Sequence, residues 1–99
     1  MEEIVRKICN DYIHREHLIT ELSPCKFRDD LIDENCRLMR CVHDAIDLPD
    51  YYSRQIIISI AKRLGYNRAG ITIMCEKTFK RYKSRAVMAI MEEYQDTIK

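Results

Sequence analysis

Only two glycines and two prolines occur in the 99 residues of this chain. Because these residues interrupt helices and strands, their scarcity leaves few places for turns and favours long regular elements. Hydrophobic residues make up 46% of the chain and charged residues 33%, which suits a globular protein. This length indicates one domain over residues 1–99, too short to hold separate cofactor and substrate lobes. We therefore predict an all-α fold, a small helical domain of about four helices.

Apolar side chains at helical spacing indicate the first two helices. The first extends from about Glu2 to Leu22, and Arg15 interrupts its apolar stripe, so we expect a bend or an early end there. The second begins with Ser23 as the N-cap and Pro24 at the first helical position, and it ends at Leu48-Pro49. Its apolar positions are Phe27, Leu31, Leu38, Val42 and Ala45.

The third predicted helix extends from near Asp50 to Leu64 and ends at Gly65, which supplies a left-handed cap. Three consecutive isoleucines would also suit a buried strand, but the spacing of the flanking residues favours a helix. Its buried face consists of Ile56, Ile57, Ile60, Ala61 and Leu64. We expect an irregular connection between Gly65 and Cys75, and a fourth helix from Glu76 to about Gln95.

A net charge of +1 hides an uneven distribution of charge along the chain. Residues 1–49 carry a net charge of −4, residues 50–91 a net charge of +7 and residues 92–99 a net charge of −2. Such a basic segment indicates a polyanionic partner. In the alternative interpretation, the basic face is merely solvated and pairs with the acidic half of the same chain.

The fourth predicted helix separates its apolar residues from its cations on a helical wheel. The apolar side consists of Phe79, Tyr82, Ala86, Ala89 and Ile90, and the opposite side of Lys77, Lys80, Arg81, Ser84 and Arg85. Lys83 lies on the flank. Long cationic side chains on one face suit contacts with nucleic-acid phosphates and base edges. Exposed helices also carry lysine and arginine for solubility alone.

Two stretches of the second half carry a family resemblance: residues 59–67 read SIAKRLGYN, and residues 77–86 read KTFKRYKSRA. They resemble region four of bacterial sigma factors and the related phage late-gene regulators of the ArpU and RinA type, over about residues 51–94. In that family the turn is short, whereas about ten residues separate Gly65 from Glu76 here. The resemblance implies a helix-turn-helix unit with Thr78, Lys80 and Arg81, together with Arg85, on the DNA-facing helix.

We therefore predict a sequence-specific transcriptional regulator, encoded by a phage or mobile element, that places its basic C-terminal helix on double-stranded DNA. The predicted DNA-binding residues are Arg68, Lys77, Thr78, Lys80, Arg81, Lys83, Ser84 and Arg85. Residues 50–99 form the helix-turn-helix-like region, and residues 1–49 support it or form a homodimer. RNA polymerase is a further expected partner. Two alternatives stay open: a helical adaptor or inhibitor of a host complex, and a small terminase-like packaging protein.

Other kinds of chemistry find little support in the sequence. Five cysteines without a C-x-x-C pair indicate reduced, mostly buried thiols in a cytoplasmic protein. The best metal candidates are His14, His17, Cys41 and His43, but their spacing is not that of a structural zinc site, so we expect neither metal nor cofactor. Acidic pairs near a helix start are explained by the helix dipole, so we expect no enzyme. The apolar runs are too short to cross a membrane.

Overall fold

The computed structural model describes residues 2–70 and 74–98, and all regular structure in these ranges is helical. This confirms the predicted all-α fold. Two helices of a single turn accompany the four long helices expected from the sequence. The helices are α1 (Glu2–Glu21), α2 (Lys26–Ile46), α3 (Asp50–Ala61), α4 (Tyr66–Ala69), α5 (Glu76–Glu93) and α6 (Gln95–Ile98).

The hydrophobic core lies between the four long helices, and each of them contributes fully buried side chains. Burying one large apolar side chain stabilises a fold by about 1.5–3 kcal/mol, so this shared core holds the helices together. The predicted apolar faces of α3 and α5 point into it, except that Leu64 lies beyond the end of α3 and is only half-buried. The largest fully buried apolar residues are Val5, Leu38, Val42, Ile56, Ile57, Phe79 and Ile90.

The first helix continues through Arg15 to Glu21, so the expected early end is wrong. The Nε atom of Arg15 donates a hydrogen bond of 2.6 Å to Oδ1 of Asn35 on α2. Asn35 is buried, and its Nδ2 atom donates to the carbonyl oxygen of Tyr12 at 3.2 Å. A polar link between α1 and α2 therefore takes the place of the missing apolar contact.

The second helix begins two residues later than predicted. Cys25, in an extended conformation, is its N-cap, and the Sγ atom accepts a hydrogen bond of 3.4 Å from the backbone N–H of Arg28. Ser23 and Pro24 lie outside the helix. The helix ends at Ile46, two residues before the predicted end at Leu48-Pro49, and Asp47 takes a left-handed conformation with φ of 53°.

The third helix ends at Ala61, so the predicted role of Gly65 as a left-handed cap is wrong. Arg63 takes that conformation instead, with φ of 54°. The backbone N–H of Leu64 donates to the carbonyl oxygen of Ser59 at 2.9 Å. This bond closes the helix before the glycine is reached, and Gly65, with φ of −80°, becomes the N-cap of α4.

The outer ends of α1 and α2 form a hairpin arm, residues 13–34, in which no side chain is fully buried. The predicted apolar stripe of α2 is therefore only partly correct, because Phe27 is 58% exposed. Leu18 on α1 is 41% exposed. The arm lies beyond the shared core, where the other helices do not fully cover it.

The cysteines also differ from the sequence-based expectation of mostly buried thiols. Only Cys9 is buried and Cys41 is half-buried, whereas Cys25, Cys36 and Cys75 are exposed. None of the five forms a disulfide.

Candidate nucleic-acid interface

The two faces of α5 are separated in the structure as its sequence predicts. Phe79 and Ile90 are almost completely buried, at 1% and 0% exposure, and anchor the inner face in the core. The outer face consists of exposed cations and a serine, namely Lys77, Lys80, Arg81, Ser84 and Arg85. We call these five residues the basic face of α5.

The acidic N-terminal half does not neutralise this basic face. Within residues 2–70 and 74–98, the only ion pair from the basic face joins Lys80 Nζ to Glu76 Oε1 at 3.4 Å, one turn away in the same helix. Exposed pairs of this kind contribute about 0–1 kcal/mol and dissociate readily. The cations therefore remain available to an external anion.

Ion pairs between the two halves of the chain lie away from the basic face. Arg54 on α3 forms two hydrogen bonds with Glu16 on α1, at 2.8 and 3.0 Å. Arg63 approaches Glu3 at 4.0 Å. The acidic half therefore pairs with cations of α3 and of the turn after it, which leaves the outer side of α5 open.

The C-terminal end of α5 is fixed against α2 by Arg37. Its guanidinium donates to the Glu93 side chain at 3.1 Å and to the Glu93 carbonyl oxygen at 3.0 Å, and it lies 4.3 Å from the centre of the Tyr94 ring. The hydrogen bond with Glu93 raises the pKa of Arg37, so this guanidinium stays charged. This contact orients α5 while using carboxylates outside the basic face.

Two arginines of the basic face share one aromatic neighbour. The guanidinium carbons of Arg81 and Arg85 lie 5.9 and 5.5 Å from the centre of the Tyr82 ring. Cation–π contacts of this length are weak at exposed sites, about 0.5–1 kcal/mol each, but they restrict where the guanidinium groups lie. Tyr82 was predicted only to pack the core, although its i, i+3 spacing from Arg85 is a signal of this second role.

Thr78 is half-buried at the start of α5 and contacts the N-cap residue. Its hydroxyl lies 3.3 Å from the Sγ atom of Cys75. This hydrogen bond, together with backbone N–H groups of the first turn, lowers the pKa of the Cys75 thiol. The Thr78 hydroxyl is thus engaged within the protein and does not extend from the basic face.

Lys83, also predicted to bind DNA, is directed toward the protein. Its Nζ atom donates a hydrogen bond of 3.0 Å to the carbonyl oxygen of Leu64 and lies 5.9 Å from the centre of the Phe79 ring. The side chain is half-buried. Its flank position on the helical wheel was the one sign that it differs from the other cations.

Arg68 is exposed on the one-turn helix α4 and is the remaining predicted DNA-binding residue. This helix contacts the start of α5 through Tyr66, whose hydroxyl donates to the Met74 carbonyl oxygen at 2.6 Å. The Tyr66 ring lies 5.9 Å from that of Phe79. Residues 71–73 of the connection lie outside the described residues. The structure therefore places Arg68 close in the chain to α5 but not on its basic face.

Three groups with raised pKa values lie in the core or against it. Burial raises the pKa of Cys9 and of Tyr12 to about 12, and the pKa of Cys41 to about 11. Across the described ranges, no three His, Cys, Asp or Glu side chains are grouped so as to hold a metal ion. Likewise, no described helix is long and apolar enough to cross a membrane.

Comparison of the chain with protein-family models, with curated proteins and with solved structures gives no match.

Proposed function

We propose that this protein binds double-stranded DNA through the basic face of α5. The observation that carries the proposal is that these cations are exposed while the helix beneath them is anchored in the core. Several cations on one face of a helix can contact DNA phosphates together, and binding is driven by the release of counterions from the DNA. Arginines on such a helix can also bond guanine with two hydrogen bonds.

We further propose a role as a transcriptional regulator of the phage late-gene type. This rests on the sigma-region-four-like stretches at residues 59–67 and 77–86, which end α3 and form most of α5. A protein of this class recognises a defined operator and acts together with RNA polymerase. Selection from a random duplex library tests sequence recognition: enrichment of one motif supports the regulator, and enrichment of none contradicts it.

Fluorescence anisotropy with a labelled duplex tests DNA binding itself. In the variant Arg81→Ala/Arg85→Ala we expect affinity to fall about tenfold or more, because two cations are lost from the basic face. The matched control is Lys7→Ala/Lys26→Ala, which removes two exposed cations from α1 and α2 and gives the same net charge. It should retain nearly full affinity.

Salt dependence gives a second measurement of the same interface. If Lys77, Lys80, Arg81 and Arg85 each neutralise one phosphate, the slope of log K against log salt concentration is about −3 to −4. The arginine variant should reduce the magnitude of this slope by about 2. A wild-type protein that binds no duplex at about 100 μM in low salt would contradict the proposal, since non-specific binding is ordinarily tighter. The basic face would then serve an acidic protein partner, as in an adaptor.

A further inference from the structure

A groove of about 1010 Å³ lies between α1, α2 and α3, and it begins on the hairpin arm. Five large apolar side chains line it, and each is only half-buried. Full burial of such side chains would stabilise the protein, so this exposed apolar surface suits packing against another helix. These residues are Ile13, Ile19, Ile32, Met39 and Ile58.

Four of the six α2 residues that line the groove follow a coiled-coil spacing. Ile32, Cys36, Met39 and His43 are separated by four, three and four residues, which places them along one seam of the helix. Asp29 extends the same seam by three residues toward the end of the arm. Helices with this spacing pack against another helix at a shallow angle, as in four-helix bundles.

This face of α2 carries a negative charge near one end and a positive charge near the other. Asp29 lies near the outer end, and Arg40 lies three turns further along and lines the groove. Both are exposed, and neither forms an ion pair with another residue in the described part of the chain. Among the other charged residues of the groove, Glu16 pairs with Arg54 and Asp50 lies 3.6 Å from His43. Lys62 is exposed and forms no ion pair within the described residues. A face with one acidic end and one basic end is complementary in charge to the same face of a second α2 helix that runs antiparallel to it.

We propose that the groove is filled by the hairpin arm of a second copy of this chain. In this dimer a two-fold axis sets the two α2 helices antiparallel, so that Asp29 of each copy meets Arg40 of the other. Such an isologous interface repeats every contact twice, which doubles the effect of one complementary pair. The two arms then form a four-helix bundle that buries the isoleucines of both grooves. This proposal does not depend on DNA binding.

Sedimentation equilibrium of the full chain without DNA tests the dimer. The chain has a mass of 11.9 kDa, and we expect the measured mass to approach twice this value as concentration rises. A mass of one chain at every concentration up to about 200 μM would overturn the proposal, since a partner surface of this kind should associate more tightly.

Charge reversal locates the interface. Asp29→Arg and Arg40→Asp should each weaken the dimer at least tenfold, because each sets like charges opposite each other twice. The combined variant restores opposite charges and should return the dissociation constant to within about threefold of wild type. Losses that simply add in the combined variant would contradict this pairing.

A pair of matched substitutions separates this groove from the rest of the arm. Ile32→Asp places a charge in the groove and should abolish dimerisation. Phe27 belongs to the same arm but lies about 140° around α2 from Ile32, on the side turned away from the groove, so Phe27→Asp should leave the dimer intact. Circular dichroism confirms that each variant stays helical. A dimer that survives Ile32→Asp, or that Phe27→Asp dissociates equally well, would show that another surface is used.

Discussion

The Nζ atom of Lys83 donates a hydrogen bond of 3.0 Å to the carbonyl oxygen of Leu64, 19 residues earlier in the chain. Leu64 follows the end of α3, where helical carbonyl groups lack partners within the helix. Lys83 therefore holds α5 in place beside α3, while its neighbours on the basic face extend outward. Lys83 thus positions α5, and the other cations of this helix form its basic face.

Replacing Lys83 by methionine tests this positioning role. Lys83→Met keeps much of the side-chain length but removes the donor, so we expect a loss of about 1–2 kcal/mol in the free energy of unfolding. Denaturant unfolding measures it. Lys80→Met, on the exposed face, is the control and should change stability by less than about 0.5 kcal/mol. Equal losses in the free energy of unfolding for the two substitutions would show that the hydrogen bond of Lys83 does not stabilise the fold.

The left-handed backbone at Arg63 predicts a stabilising substitution. A non-glycine residue with φ of 54° carries a steric cost of about 1 kcal/mol, which glycine avoids. Arg63→Gly should therefore raise the melting temperature by a few degrees. In Lys62→Gly the backbone has φ of −99°, where glycine gives no such relief, and the melting temperature should fall. Melting curves of both variants decide the matter.

The contacts of Tyr82 with Arg81 and Arg85 predict an indirect effect on DNA affinity. Tyr82→Leu keeps an apolar side chain for packing but removes the ring, so the two guanidinium groups gain freedom. We expect affinity for duplex DNA to fall about two- to fivefold, which corresponds to about 0.5–1 kcal/mol. Tyr82→Phe keeps the ring and should bind as wild type does. Anisotropy titrations that rank the phenylalanine variant with the leucine variant would rule out the ring as the cause.

Burial of Cys9 predicts a loss of stability in alkali. Its pKa is raised from about 9 to about 12 in the folded protein because the thiolate would be desolvated. As pH rises above 9, the unfolded chain loses this proton first, so stability falls between about pH 9 and 12. A rise in pKa from about 9 to about 12 corresponds to at most about 4 kcal/mol of stability.

Chemical denaturation at a series of pH values measures this dependence. Cys9→Ala leaves a small cavity and lowers stability at pH 7, but it removes the titrating thiol. Its stability should therefore decline less steeply than that of wild type above pH 9. Tyr12, whose pKa is also raised to about 12, keeps part of the decline in both proteins. Parallel curves for wild type and variant would mean that Cys9 does not carry the effect.

The start of α2 and the end of α3 differ from the positions that the sequence predicts. Gly65 and Ser23 are residues that commonly flank helices, yet Arg63 and Cys25 take those places. Cap preferences differ by about 1 kcal/mol between residue types, and packing of the whole helix easily outweighs that difference. The buried faces of α3 and α5 were predictable because they depend on many residues at one regular spacing.

The sequence by itself determined that the chain is helical, which face of α5 enters the core, and which residues form the basic face opposite. These features follow from local periodicity, since residues three or four apart must lie on the same side of a helix. Only the tertiary structure decided that Lys83 turns to Leu64, that Glu16 pairs with Arg54, and that the hairpin arm is left partly uncovered. Those outcomes depend on contacts between residues far apart in the chain, and periodicity carries no information about which distant surfaces meet.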